Sequence, residues 1–336
     1  MTDYKTIHGK KIKFQTSDLT MSTATEGELF YSSTDSEFKV GVNVSAWASG
    51  GNLNTGKINA GSTSSGPRDA SLYFAGETGP DNTMQTNESY DGSSWTELAD
   101  INTGRRNVAG FGTQTAAVCA GGLIPPADPQ TQDLVEEWDG SSWSEVTDVP
   151  VAGIPEAGGA GTLTAGIIFG GDVAAGNART DKTYHYDGTN WTAGGDLNTS
   201  RRDPGAAGTQ TATLGFGGIP GGPSAGTNVT EEYNGSAWTN GENMNTSRGD
   251  AGSGGIQTNA IYAGGATGPG AAMANTELYD GTDWTAGPTL ATARFGGGTT
   301  SASGNTSAIY FGGHPPFLNS TEEFTATVTA RSVDTT

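Results

Sequence analysis

The chain is poor in charge, cysteine, lysine and histidine, and it has no long apolar run. Charged residues make up 15% of its 336 positions, well under the ~25% typical of soluble domains. They are also unbalanced: 16 Lys and Arg against 36 Asp and Glu leave a formal charge of -20. Such an excess of carboxylate excludes an ordinary nucleic-acid binder, which needs a cationic footprint. The single cysteine, Cys119, excludes an internal disulfide and a thiolate metal cluster. Nowhere do ~18 apolar residues run together, and residues 1–15 lack the apolar stretch of a secretory leader. The expectation is a soluble chain, made in a cytoplasm, with no membrane insertion.

What the chain does hold is glycine, 54 residues, with 7 Trp, 10 Tyr and 11 Phe. The aromatics argue against the disorder that so much glycine would otherwise imply. Four lysines (Lys5, Lys10, Lys11, Lys13) fall in the first thirteen residues with only Asp3 opposing them. Charge therefore divides the chain into a small basic arm and a large acidic body.

Trp47, Trp95, Trp143, Trp191, Trp238 and Trp284 recur at intervals of 48, 48, 48, 47 and 46 residues. A small-residue pair keeps step with them: Ala75-Gly76, Gly121-Gly122, Gly170-Gly171, Gly217-Gly218, Gly264-Gly265 and Gly312-Gly313. Before five of the tryptophans stands an acidic or polar residue, an aromatic and a tight turn, as in ESYDGSSW (88–95) and ELYDGTDW (277–284). The last copy, Glu322-Glu323-Phe324, has no tryptophan. After the tryptophans a cation recurs at Lys57, Arg105, Arg201, Arg248 and Arg294, with Ile154 in its place in the third repeat. Within one period we read four short strands. Asp-Gly and Asn-Gly before the last strand signal type I′ hairpins, and the double glycine marks close backbone approach.

A period of this length with four strands is a propeller blade, and six copies predict an all-β, six-bladed ring. On the double glycines, the aromatic and the tryptophan, residues 37–324 resemble the kelch family. That resemblance implies a β-propeller with four-stranded blades, and it leaves function open. The expected organisation is an arm at 1–36, a propeller at 37–330 and a tail at 331–336. Because 37–47 reads as half a blade and the last repeat lacks its tryptophan, the N-terminal segment is expected to supply the outer strand of blade six. An outer strand at 325–330 is the competing arrangement.

One face of such a ring would carry near-identical turns (GTQTA, GTLTA, GIQTN) and the Asp-Gly or Asn-Gly hairpins. The opposite face would carry two-to-three loops that share almost nothing, and binding concentrates on variable loops set on a rigid scaffold. The receptor-binding candidates are accordingly Asp81, Asn82, Met84, Pro125, Asp128, Asn177, Arg179, Met273, His314 and Phe317. Arg106 and Arg202, which have no counterparts in the other repeats, are the anion-binding candidates. The cation that recurs once per repeat reads as structural, as do Glu88, Glu136, Glu231, Glu277 and Glu322 at one shared position. No catalytic dyad, cofactor or metal site is expected. The three histidines (His8, His185, His314) and one thiol cannot assemble a copper centre of the kelch oxidase type, and no run suits calcium. The Asp-Gly pairs lack the spacing of a sialidase Asp box.

Residues 26–40, EGELFYSSTDSEFKV, resemble a segment near the start of bacteriophage tail-fibre and virion proteins. That resemblance implies a virion structural protein, a tail fibre or tail appendage, whose arm (Lys10, Lys11, Lys13, Phe30, Tyr31) attaches to other virion proteins or to further copies of the chain. The propeller would then meet a host surface glycan or protein. A capsid decoration and a glycan-processing enzyme on a propeller scaffold are the alternatives.

Overall fold

The computed structural model describes residues 19–21, 26–79, 82–126, 131–173, 178–221, 226–268, 270–302 and 304–333. Among them there is no helix. Five antiparallel sheets have four strands and one has five. The second sheet shows the pattern: Ala109–Thr113, Ala116–Ala120, Val135–Trp138 and Trp143–Glu145 pair consecutively. These are the four strands expected from one repeat. The first strands carry glycine where neighbouring sheets crowd: a Cβ on Gly110 would lie 2.6 Å from Ser62 O. The second strands, such as Ala165–Phe169, are apolar and buried because both of their faces are covered.

The chain divides into two compact units, 47–324 and a smaller one made of 1–46 with 325–336. This division falls inside the 37–330 limits expected for the propeller. In the large unit the sixth sheet contains Gly298–Thr300, Ser307–Phe311 and the start of Thr321–Ser332. Residues 47–49 lie beside that last strand: Gly50 donates to Thr321 O at 2.9 Å, and the rings of Trp47 and Phe324 are 5.3 Å apart. In the small unit, Leu29–Ser32 pairs with residues 37–40, and Val333 donates to Phe38 O.

The repeated tryptophans link one sheet to the next. The indole N–H groups of Trp47, Trp95, Trp238 and Trp284 donate to Thr276, Thr321, Thr183 and Thr230, each the first residue of the preceding sheet's third strand. The double glycines have the expected cause. Gly121 and Gly122 take φ of 67° and 106°, and a Cβ on them would meet Ile154 O and Arg106 O at 2.7 Å.

The Asp-Gly turns differ from expectation. Gly92 has positive φ and Asp91 does not, so this is not a type I′ turn. Residues 91–94 form a four-residue loop between the paired Tyr90 and Trp95, closed by Asp91 Oδ1 accepting from the N–H groups of Ser93 and Ser94. Those donors hold the Asp91 carboxyl down to about 2.

The recurrent cation is buried framework. Arg105, Arg201, Arg248 and Arg294 are fully buried, and each pairs with the recurrent glutamate: Glu136, Glu231, Glu277 and Glu322. Each glutamate also accepts backbone N–H groups from the segment before the arginine, as Glu231 does from Asn198 at 2.7 Å and Thr199 at 3.2 Å. The third repeat drops all the partners together. Ile154 replaces the arginine and Tyr184 the glutamate, while Pro150, which has no N–H, stands where Asn198 donates. The ion pair and the backbone donor that accompanies it are thus lost together.

Candidate functional site

Two residues after each recurrent cation position the chain turns into the first strand of the next sheet. These six positions are Asn59, Asn107, Glu156, Asp203, Asp250 and Gly296, and all have positive φ, from 49° to 68°. Their backbones form a cycle of hydrogen bonds. Asn107 donates to Asn59 O, Glu156 to Asn107 O, Asp203 to Glu156 O, Asp250 to Asp203 O, Gly296 to Asp250 O and Asn59 to Gly296 O, at 2.6 to 3.3 Å. Left-handed backbone is costly for most side chains and least so for Gly, Asn and Asp, which accounts for five of the six residues.

The ring surrounds a cavity of about 130 Å³. A shaft of about 110 Å³, lined by Ala60, Val108, Gly159, Ala206 and other residues of the first strands, runs along the same strands. On the turn face, Ser65 Oγ donates across to Gly161 O, two sheets away. The wide mouth is therefore on the face of the two-to-three loops.

Carboxylates dominate this mouth. Glu156, Asp203 and Asp250 come from adjacent repeats. Behind them, Glu77 pairs with Arg106, Arg202 with Glu156 at 2.8 Å, and Arg179 with Asp172 at 3.0 Å. The two asparagines are held by the same network: Asn59 Nδ2 donates to Glu77 and Asn107 Nδ2 to Glu156. Arg106 and Arg202, the anion-binding candidates, thus spend their guanidinium groups on neighbouring carboxylates. Five carboxylates face three guanidiniums, an excess offset near neutrality by the protons that the raised carboxyls keep, so the mouth is polar and suits hydroxyl-rich ligands.

Burial, then the nearby Glu156 charge, pushes the Asp250 carboxyl up to about 7, with Arg202 opposing. Burial, Glu156 and Asp250 raise Asp203 well above the carboxylate range. Glu156 is raised by burial and Asp172 against the pull of Arg202. The group therefore holds a proton near neutrality, a property useful for proton transfer and for cation binding alike.

The loop candidates are placed unevenly. Asn82 is exposed, and Met84 and Met273 are half-buried with their N–H groups bonded to Gly76 O and Gly265 O. Pro125 is buried and presents no contact surface. Arg179 lies in the mouth network. His314 packs between Phe295, tilted, and Phe317, edge-on, both at 5.4 Å. Asp81, Asp128 and Asn177 lie outside the described residues, as do Lys10, Lys11 and Lys13 of the arm. Phe30 is buried, and Tyr31 packs edge-on against Phe38 at 5.3 Å. Cys119 is a core residue whose thiol burial pushes up to about 11. Among the described residues no cluster of three His, Cys, Asp or Glu side chains is arranged to hold a metal.

Sequence reasoning passed over the ring residues. The available signal was a column two residues after the cation that reads N, N, E, D, D, G, all types that tolerate positive φ except Glu156.

No family model matches the sequence, and no curated protein matches it. Among solved structures it is similar to YjhT, a kelch-type propeller, with a TM-score of 0.66 at 14% identity, covering 83% of this chain and 99% of that one. The likeness is one of fold. The chain has a propeller-like, all-β architecture.

Proposed function

We propose that the chain is a closed, six-bladed kelch-like propeller, with the N-terminal segment as the outermost strand of the last blade, and that it serves as a binding module on a bacteriophage particle. The cycle of six backbone hydrogen bonds and the place of residues 47–49 beside 321–324 support the closed ring. The observation that carries the binding reading is the contrast between the two faces. One has near-identical short turns; the other surrounds a concave, acidic mouth with loops unlike one another. In this reading the module is a tail fibre or tail appendage, attached through its N-terminal arm to other virion proteins or further copies, and its loop face meets a host surface glycan or protein.

The test is adsorption competition joined to particle composition. Purified chain should reduce adsorption of the phage that carries it, and quantitative mass spectrometry should find a small multiple of the tail symmetry per particle. Capsid-scale abundance would favour a decoration protein, and absence from particles would defeat the virion reading. The raised carboxyls of Asp203 and Asp250 favour a second reading, a glycan-processing enzyme that uses the mouth for proton transfer. Release of oligosaccharides from host polysaccharide would establish it over the first.

A further inference from the structure

The small unit leaves one edge of its sheet open. The strand Thr321–Ser332 lies between Glu37–Ser49 on one side and Ser307–Phe311 on the other. Gly312 donating to Ser320 O sets the second pairing, and in that register the five residues of Ser307–Phe311 reach only as far as Thr325. From Ala326 to Ser332 this side has no strand beside it among the described residues. The other pairing is fixed at both ends, by Gly50 donating to Thr321 O and Val333 donating to Phe38 O. Both contacts fall on odd-numbered residues of the strand. In an antiparallel ladder the odd residues therefore turn their N–H and C=O groups toward 37–49, and Ala326, Val328 and Ala330 turn theirs to the open side. Such edges are ordinarily blunted by charge, proline or a bulge. Residues 325–330, TATVTA, carry neither charge nor proline, and the two end contacts are equally far apart on both strands, so there is no net bulge. Thr325, Thr327 and Ala330 are exposed.

We propose that this edge pairs antiparallel with the same edge of a second copy of the chain, about a two-fold axis at Val328. The inference rests on the reading of the N-terminal region and its sheet as the part that attaches, and it names what that part attaches to. The sequence Ala326-Thr327-Val328-Thr329-Ala330 reads the same in both directions, so a two-fold pairing matches like with like. Val328 lies opposite itself and Ala326 opposite the partner's Ala330, and these positions exchange backbone hydrogen bonds. Thr327 lies opposite the partner's Thr329 at a closer position without backbone bonds, where hydroxyls on facing strands interact favourably. An axis moved to Arg331 would instead set two guanidiniums against each other. Charge also selects this part of the chain for contact between copies. The small unit holds six Lys and Arg against seven Asp and Glu, whereas 47–324 holds ten against twenty-nine. Two large units repel one another, and the uncharged edge is where copies meet without that opposition.

The test is sedimentation equilibrium of the full chain over about a hundredfold range of concentration. The mass should rise toward twice the 34.1 kDa of one chain. Val328→Pro removes an N–H that faces the open side and spares the bonds to 37–49, so it should weaken association by about tenfold or more while circular dichroism shows the fold retained. Val328→Lys is the second variant, in case proline disturbs the strand: it sets two ammonium groups across the axis and should weaken association likewise. Salt at about 1 M, where the screening length is about 3 Å, should leave the dimer intact. Dissociation by salt would overturn the proposal in favour of the basic arm docking on an acidic body. A monomer at every concentration, a trimer or larger end state, or association unchanged by the two variants would overturn it as well. A chain that dimerises but is absent from particles would sink the virion reading and leave this one standing; a chain that particles carry but that stays monomeric would do the reverse.

Discussion

Glu231 offers the sharpest test of how the sheets are held. Its carboxylate accepts from Asn198 N at 2.7 Å, Thr199 N at 3.2 Å and Arg201 Nη2 at 2.9 Å, and both side chains of the ion pair are fully buried. Glu231→Gln keeps the shape and removes the charge, so the Arg201 guanidinium is left against neutral groups: Val229 O at 3.3 Å, Gly215 O at 3.4 Å and the new amide. Breaking one side of a buried pair costs about 3–5 kcal/mol. Glutamine retains one acceptor, which places the expected loss near the lower end, about 3 kcal/mol, and at about 2 °C per kcal/mol the melting temperature should fall by about 6 °C. Thermal melting by circular dichroism, with urea denaturation for the free energy, measures it. Ile154→Arg is the companion. It puts a cation at the same repeat position where Tyr184 replaces the glutamate, and it should destabilise by a similar amount. A loss under about 1 kcal/mol in both variants would refute the reasoning, since it would mean that water reaches these sites.

Two further outcomes concern pH. Burial draws the Lys57 ammonium down to about 8, where its Nζ donates to Tyr73 O, Thr86 O and Thr86 Oγ1 and Glu88 Oε1 is left without a partner. The unfolded chain then binds more protons between about 8 and 10.5, so this group makes stability rise with pH across that window. Lys57→Arg should remove the rise and raise stability at pH 7 by about 1 kcal/mol by supplying Glu88 with a donor. Unchanged slope in urea titrations at pH 7, 9 and 10 would contradict it. The Asp250 carboxyl is raised to about 7 from an ordinary 3.8. Here the folded chain binds more protons, so its contribution is fully present below about 4 and is lost as pH rises through 7. Asp250→Asn should flatten that decline and stabilise the protein at pH 8, whereas lower stability than the parent at pH 8 would count against a carboxyl raised by desolvation and the Glu156 charge.

Much of the fold was legible because its causes are local and recur. The tryptophan interval set the sheets, the Asp-Gly and Asn-Gly pairs marked the hairpins, and the double glycines marked where the backbone must come close. The turn type was misjudged because the Asp91 side chain, rather than a second left-handed residue, closes the loop. The recurrent arginine and glutamate were recognisable as framework because a repeated column implies a repeated environment. The loop candidates were chosen by composition, and the structure buries Pro125 and ties Arg179 into an ion pair.

The site at the mouth could not be read in this way. Its six residues come one from each repeat, and they matter because they differ from one another. Whether Arg106 is a free cation depends on Glu77, and whether Arg202 is free depends on Glu156; these partners are 29 and 46 residues away in the chain. The sequence by itself determined the strands, the places of the turns and the repeat, since these follow from residue types that recur within a few residues of one another in every period. Tertiary structure alone decided which carboxylates share a cavity and which cations are neutralised, because Coulomb interactions and desolvation depend on distance in space and not along the chain.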